Sequence, residues 1–182
     1  MRLLSVYLLA SAVGAFCNPL STRQSQNTNS EISTIVDKLD MQAHVNIPNI
    51  LTMQANGTAS DNTVGPQVDQ LVAAFKTAAS DLGNTTVSSG SNSTSPTNDD
   101  ISVTFSDVVQ MLASSFSGLT TSSVSSLDNM LSDLDPEVAA SAKALNTTLP
   151  GSLILVHDLM LDAQQFFVKE GAWTQTLQAL GF

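Results

Sequence analysis

The chain has 182 residues, with 16 acidic side chains against 6 basic ones and a formal net charge of −10. This acidity argues against a nucleic acid partner, because phosphate binding needs clustered lysine and arginine. Aromatic residues make up only 5% of the chain, which argues against stacking platforms for sugars or bases. Hydrophobic residues make up 42%, which is enough for one domain with its own core.

The first 17 residues predict a secretory signal peptide. Arg2 gives the positively charged n-region, and residues 3–12 form the apolar h-region. Small residues then precede a predicted cleavage site after Ala15. Cleavage after Cys17 is the other choice. Cys17 is the single cysteine of the chain, so the exported domain has no disulfide. The expected location is extracellular, either free or associated with a cell wall.

Residues 18–29 form a polar N-terminal segment that precedes the first predicted helix. Residues 30–182 predict one all-α domain. Apolar side chains recur at offsets of three and four residues, which is the period of an amphipathic helix. The pattern predicts a single-domain bundle of about five to six helices that is held together by packing alone. Residues 84–98 are rich in Ser and Thr, contain hardly an apolar residue, and predict a flexible, exposed loop.

Two prolines mark boundaries in the first half of the domain. The first helix is predicted to follow a capping box formed by Thr28 and Glu31. Pro48 lies within its apolar pattern and predicts a kink or a break near Ile47. The second helix is predicted to open at Pro66, directly after a glycine, because proline suits the first turn of a helix.

Three further helices and a long final helix are predicted after the loop. Asn98 is predicted to cap the third helix, with two aspartates at the positive end of its dipole. Residues 124–134 predict a short fourth helix after a corner at residues 118–122, and Asp135 and Pro136 predict the cap and first turn of a fifth. The last helix, over residues 152–170, is apolar on most of its circumference and is predicted to occupy the centre of the bundle.

The candidate ligand-binding residues are large apolar side chains that form a seam between the predicted helices. Small residues at many inward positions leave slots between helices, and Phe and Met line adaptable apolar pockets well. Ordinary core packing is the competing interpretation for each of these side chains. The candidates are Phe75, Phe105, Phe116, Met111, Met160 and Phe167.

No pattern of catalytic residues is present in the sequence. His44 and His157 are too few for most general-base or metal sites, and both are predicted to have structural roles. Asp133, Asp135 and Glu137 alternate like the start of a calcium loop, but the glycine and glutamate that such a loop needs are missing. We therefore expect no enzyme, no metal site and no cofactor. A hydrolase built on an acid pair that the fold assembles is the least favoured alternative.

Four Asn-X-Ser/Thr sequons predict N-glycosylation of an exported chain. All four fall at predicted helix ends or in the polar loop, which can also take O-linked sugar. Such glycans would give the protein a contact with cell-wall polysaccharide. The sequons are at Asn56, Asn84, Asn92 and Asn146.

The order of these features resembles the fungal hydrophobic surface-binding protein A family, which includes the cell-wall galactomannoproteins. The resemblance rests on the signal peptide, the helix opening at residues 32–36, the stripe at residues 71–75, a Ser/Thr-rich helical body and the scarcity of cysteine. It implies a secreted helical bundle that adheres to hydrophobic surfaces or holds fatty-acid-like ligands between helices, without catalytic residues. The chain departs from the cell-wall members in lacking a long Ser/Thr stalk and a C-terminal anchor signal, which favours free secretion.

Two functions follow as expectations. The leading one is a secreted, glycosylated, non-enzymatic protein that binds a lipid or a hydrophobic surface through its apolar seam. The alternative is a structural cell-wall mannoprotein or an extracellular host-interaction protein without a ligand pocket. A continuous cavity between the helices would favour the first, and a filled interior would favour the second. Neither a transmembrane segment nor a nucleic acid partner is expected.

Overall fold

The computed structural model describes residues 26–182, so the predicted signal peptide, its cleavage site and Cys17 lie outside the described residues. Regular structure within this range is entirely helical, and the predicted all-α fold class is confirmed. No helix in the described range is sufficiently long and apolar to cross a bilayer.

Four long helices are followed by three short ones. The long helices are α1 (Asn29–Ala55), α2 (Asp61–Asn84), α3 (Asn98–Ser115) and α4 (Leu127–Thr148). The short helices are α5 (Ser152–Met160), α6 (Gln164–Glu170) and α7 (Thr174–Leu180). The number differs from the predicted five to six because the predicted fourth and fifth helices are one, the last predicted helix is divided in two, and a further short helix, α7, follows it.

The long helices form an up-down-up-down bundle. At one end, Asn29 Nδ2 donates to Asn98 Oδ1 (2.9 Å), which joins the starts of α1 and α3. At the same end, Thr148 Oγ1 donates to the Leu82 carbonyl (2.9 Å), which joins the ends of α4 and α2. Helix α2 packs against α1 and α4, α1 packs against α3, and the ring is completed by α5 on α3 and α7 on α4.

The core consists of the inward stripes of the long helices. In α2, residues at offsets of three and four are each 3% exposed or less, as the periodicity predicts. Fully burying one such large apolar side chain stabilises the fold by about 1.5–3 kcal/mol. The α2 stripe is Val64, Val68, Leu71, Phe75, Ala78 and Leu82.

The prediction near Ile47 was a kink or a break, and the break is wrong because helix α1 runs without interruption through Pro48. Ile47 and Ile50 are both buried, and burial of this stripe offsets the backbone hydrogen bond that proline removes. The predicted capping box is also absent. Thr28 is the N-cap residue, but its hydroxyl donates to the Thr86 carbonyl (2.8 Å) instead of accepting from its own helix.

Helix α2 begins at Asp61, which is earlier than the predicted start at Pro66. The Ser60 N–H donates to Thr63 Oγ1 (2.9 Å) in a reciprocal capping box that fixes this start. Pro66 therefore lies within the helix. The sequence signal was missed because Thr takes the place that Glu or Gln usually occupies in this motif.

Helix α3 is capped by Thr97 instead of Asn98, because the Thr97 hydroxyl accepts from the Asp100 N–H (3.1 Å). Helix α4 runs through Asp135 and Pro136, so the predicted fourth and fifth helices are one helix. The buried apolar residues stay at helical spacing on both sides of Pro136, so they lie on one face of a single helix. Burial of this face favours one helix over two.

The predicted central helix over residues 152–170 is wrong in both continuity and position. Residues 161–163 separate α5 from α6, and these short helices lie outside the four long ones, mainly against α3. Ile154 is 71% exposed and Val168 is 59% exposed. The centre of the bundle is instead filled by the stripes of α1 to α4, which already cover one another.

The Ser/Thr-rich segment between α2 and α3 has no regular secondary structure, but it is anchored. Ser88 is only 6% exposed, and its hydroxyl accepts from the Thr28 N–H (3.1 Å) and donates to Asn29 Oδ1 (2.6 Å). The Ser88 N–H donates to the Thr148 carbonyl (2.8 Å). These bonds attach the segment to the ends of α1 and α4, so it is not exposed along its whole length.

Candidate functional site

The predicted seam residues lie in a filled interior. Five of them are 1% exposed or less, and Met111 is partly buried against the same core. The ring centres of Phe116 and Phe167 lie 6.1 Å and 4.6 Å from that of Trp173, so aromatic rings occupy the space between helices. The five are Phe75, Phe105, Phe116, Met160 and Phe167.

An apolar groove lies instead on the surface between α1 and α2. Its floor is formed by Ile35 and Leu39 from α1 and by Ala73, Ala74 and Ala78 from α2. We call it the α1–α2 groove. It forms because alanine side chains are too short to fill the space against α1, and its volume of about 320 Å³ is within the range of ligand pockets.

Polar side chains stand at the rim and ends of this groove. Lys38 is its one basic lining residue, and Asp81 is its one acidic lining residue. Lys38 makes no ion pair with any residue in the range 26–182. Gln42 and Gln70 lie at the opposite end from Asp81. The groove therefore has an apolar floor and a rim able to contact a polar group.

A second depression continues the groove towards the start of α1. It has a volume of about 460 Å³ and shares Ile35 and Asp81 with the α1–α2 groove. We call it the polar extension because its remaining lining is hydroxyl, amide and carboxylate. These other residues are Ser30, Glu31, Thr34, Asn84, Thr85 and Thr86. Together the two depressions make an elongated site that is apolar in one half and polar in the other.

A separate cavity of about 240 Å³ contains the one strongly perturbed carboxyl group. Glu170 Oε2 accepts from Trp173 Nε1–H (2.6 Å), while Glu170 Oε1 is buried without a hydrogen-bond partner in the described range. Burial raises the pKa of Glu170 to about 7, against the opposing effects of the Trp173 hydrogen bond and the Lys169 charge.

Asp128 lines the same cavity as Glu170, so the fold brings two carboxyl groups to one concave space. The side chains that line it include no histidine and no base to orient them. The remaining lining is Phe116, three leucines and two threonines. The geometry offers a partly buried carboxyl group with a raised pKa, and no nucleophile with an orienting group lines the same cavity.

Both histidines make structural contacts. His157 Nδ1–H donates to the Leu180 carbonyl (2.9 Å) at the end of α7, and its ring stacks on Phe182 with centroids 4.3 Å apart. His44 Nδ1 lies 3.0 Å from Asp40 Oδ1 on the exposed side of α1. Neither histidine faces the α1–α2 groove.

Asp135 is a cap, but for a different helix from the one predicted. It is 4% exposed, and its carboxylate accepts from the backbone N–H groups of Gln175 (3.0 Å) and Thr176 (2.7 Å) at the start of α7. Asp133 and Glu137 do not join it in a metal site. Among residues 26–182, no three His, Cys, Asp or Glu side chains are grouped for metal binding.

All four sequon asparagines are exposed. Asn56 is the C-cap residue of α1, Asn84 ends α2, Asn92 lies in the Ser/Thr-rich segment, and Asn146 lies in the last turn of α4. Asn84 also lines the polar extension. Their accessibility is compatible with sugar transfer, and occupancy stays a prediction.

Comparisons with known proteins add no relative to this description. The chain matches no protein-family model and no curated protein sequence. The resemblance to the hydrophobic surface-binding family therefore stays a hypothesis, and the functional assignment depends on the geometry of the α1–α2 groove.

Proposed function

We propose that the protein is a secreted, non-enzymatic carrier of a single-chain lipid, with the lipid chain in the α1–α2 groove. The observation that supports this is an apolar floor beside a polar extension, which matches the two halves of an amphiphile. Membership of the hydrophobic surface-binding family and export by the predicted signal peptide are parts of the same proposal.

The chemistry of the floor suits an aliphatic chain. Ala73, Ala74 and Ala78 allow a ligand to approach the α2 backbone, while Ile35 and Leu39 provide apolar contact from α1. Each methylene group that leaves water contributes about 0.8 kcal/mol to binding. Because the groove is open to solvent on one side, only part of that energy is gained, and we expect reversible binding.

The filled interior supports the structural alternative over a lipid buried between the helices. Five of the six predicted seam residues are 1% exposed or less, so a ligand between the helices at these positions would need the core to open. The α1–α2 groove is the feature that favours lipid carriage over a purely structural role, because a mannoprotein without a ligand does not require it.

A second mode of action is adsorption to a hydrophobic surface through α5 and α6. Ile154 in α5, Leu161 between the two helices and Val168 in α6 are 71%, 54% and 59% exposed. Large apolar side chains with this exposure suit contact with an apolar surface. Adsorption to apolar beads should then survive high salt and fall when Ile154 and Val168 are both changed to Ser.

The lipid-carrier proposal is tested by displacement of the fluorescent probe N-phenyl-1-naphthylamine with dodecanol. Ala73→Phe places a ring on the groove floor and should weaken probe binding more than about tenfold. Ala79→Phe is the matched control, because Ala79 is on the same helix but does not line the groove. Equal probe binding by both variants, or no displacement from the unaltered protein, would contradict the proposal.

A further inference from the structure

We propose that the lipid in this site has a cationic amine head, and that the head lies in the polar extension. This inference depends on the proposed function, because it identifies the head group of the same ligand. It differs from the fatty-acid-like ligand that the sequence led us to expect.

The two acidic side chains of the site flank the polar extension. Glu31 lines it from α1, and Asp81 lines it from α2, where the polar extension meets the α1–α2 groove. No basic side chain lines the polar extension. Its charge is therefore complementary to a cation, and an anionic head placed there would be repelled.

The order of residues along α1 sets the direction of the ligand. Lys38, Ile35 and Glu31 follow one another at helical spacing along a single face. Lys38 lies beside the alanine floor, and Glu31 lies in the polar extension. A carboxylate held by Lys38 would sit beside the floor and leave the polar extension empty. An ammonium between Glu31 and Asp81 leaves the floor to the aliphatic chain.

Hydroxyl and amide groups complete the match to an amine. An ammonium has three N–H donors and no acceptor. Oxygen acceptors are available on Thr34, Thr85 and Asn84 beside the two carboxylates. The net charge of −10 adds long-range attraction for a cation and repulsion for a fatty-acid anion.

The test compares dodecylamine, dodecanol and dodecanoate by isothermal titration calorimetry at neutral pH and low salt. The three probes have the same chain length and differ in head charge. We expect dodecylamine to bind about fivefold more tightly than dodecanol, and dodecanoate to bind more weakly than both, because the two carboxylates are exposed and partly screened. Added salt should reduce this preference.

Two double substitutions distinguish the effect of the carboxylates in the polar extension from the effect of the protein's net charge on amine binding. Glu31→Gln with Asp81→Asn should abolish the preference for dodecylamine, so that this variant binds dodecylamine and dodecanol with about equal affinity. Asp37→Asn with Asp69→Asn changes the net charge equally, on the same two helices but outside both depressions, and should keep the preference.

Each other outcome identifies what is wrong. Dodecanoate that binds as tightly as dodecylamine would overturn the amine inference while leaving the lipid-carrier proposal intact. Loss of the preference in the Asp37 and Asp69 control would overturn the placement of the head in the polar extension. Failure of all three probes to bind the unaltered protein would overturn the proposed function itself.

Discussion

The four long helices and the C-terminal segment, residues 152–182, are attached to the fold by different interactions. Helices α1 to α4 cover one another with continuous stripes of buried side chains. The C-terminal segment buries fewer side chains and leaves Ile154 and Val168 mostly exposed, although α5 is more apolar than any of the long helices. The apolar content of a helix therefore does not set its depth in the fold. Depth depends on how much complementary surface its neighbours offer.

Specific polar contacts hold the C-terminal segment in place. Asp135 caps the start of α7, and His157 bonds the carbonyl of Leu180 at its end. Trp173 is fully buried and donates to Glu170. Because α6 and α7 have seven residues each, they are too short to be stable as isolated helices and require these anchors.

The largest effect should come from the stripe of a long helix. Phe75→Ala removes a fully buried ring from α2, and we expect it to lower the free energy of unfolding by about 3–5 kcal/mol. Urea unfolding followed by circular dichroism measures this loss. Phe166→Ala, in the partly buried region of α6, should cost clearly less. Equal losses would remove the distinction between the two regions.

Asp135→Ala should destabilise the C-terminal segment by about 2 kcal/mol, because two backbone N–H groups at the start of α7 lose their acceptor. Hydrogen exchange should accelerate in α7 while the amides inside α1 to α3 keep their protection. Asp135→Asn retains one acceptor oxygen and should have an intermediate effect. Uniform acceleration throughout the protein would show that α7 is not a separately anchored element.

Glu170→Gln should change the pH dependence of stability. The folded-state pKa of Glu170 is raised from 4.5 to about 7, so its contribution is fully present below about pH 4.5 and is lost as the pH rises through 7. We expect this loss to be about 1 kcal/mol, less than the full shift implies because the side chain is partly exposed to solvent. Urea unfolding at several pH values should give a flatter profile for Glu170→Gln. The single tryptophan, Trp173, reports the local change by fluorescence.

Asp61 in the long-helix bundle provides the opposite dependence. Hydrogen bonds from the Ser125 hydroxyl and from the Ser126 N–H (2.9 Å) and hydroxyl lower the pKa of Asp61. Its contribution is present above pH 3.8 and is lost as the pH falls through the lowered folded-state pKa. In Asp61→Asn, the free energy of unfolding should therefore fall less at acid pH than in the unaltered protein. The change near neutral pH, which comes from Glu170, should remain. If Asp61→Asn changed the pH dependence of the free energy of unfolding near pH 7, the assignment of that change to Glu170 would be wrong.

The smallest effect should come from Ile154→Ala, within about 0.5 kcal/mol, because the side chain is 71% exposed. Val156→Ala is the matched control, since Val156 is fully buried in the same helix. It should cost distinctly more in the same urea unfolding experiment. A loss of about 2–5 kcal/mol for Ile154→Ala would instead restore the central position that the sequence predicts for this segment.

Several parts of the fold were predictable because their signals are local. The spacing of Ile101, Phe105 and Val108 predicts the inner face of α3, and all three are 1% exposed or less. Proline was less informative. Pro48, Pro66 and Pro136 all lie inside helices, because burial of the surrounding stripes stabilises each helix more than the missing backbone bond destabilises it.

The candidate site was less predictable. The prediction selected six large apolar residues, and the structure buries five of them in the core. The groove is formed by small residues, and the only available signal was the cluster of alanines at 73, 74 and 78 beside the α2 stripe. Such a cluster is also compatible with close helix packing. The position of α1 relative to the alanines is needed to show that a groove remains between the two helices.

Side-chain periodicity in the sequence was enough to establish the helical class and the inner faces of the long helices. These properties depend on residues within a few positions of one another, and so they can be read without the tertiary structure. Packing between distant parts of the chain sets the remaining features: Asp135 caps α7, residues 152–170 lie outside the long helices, and a groove opens between α1 and α2. Those outcomes depend on the surface that distant helices present to each other, and one-dimensional periodicity does not encode which surfaces meet.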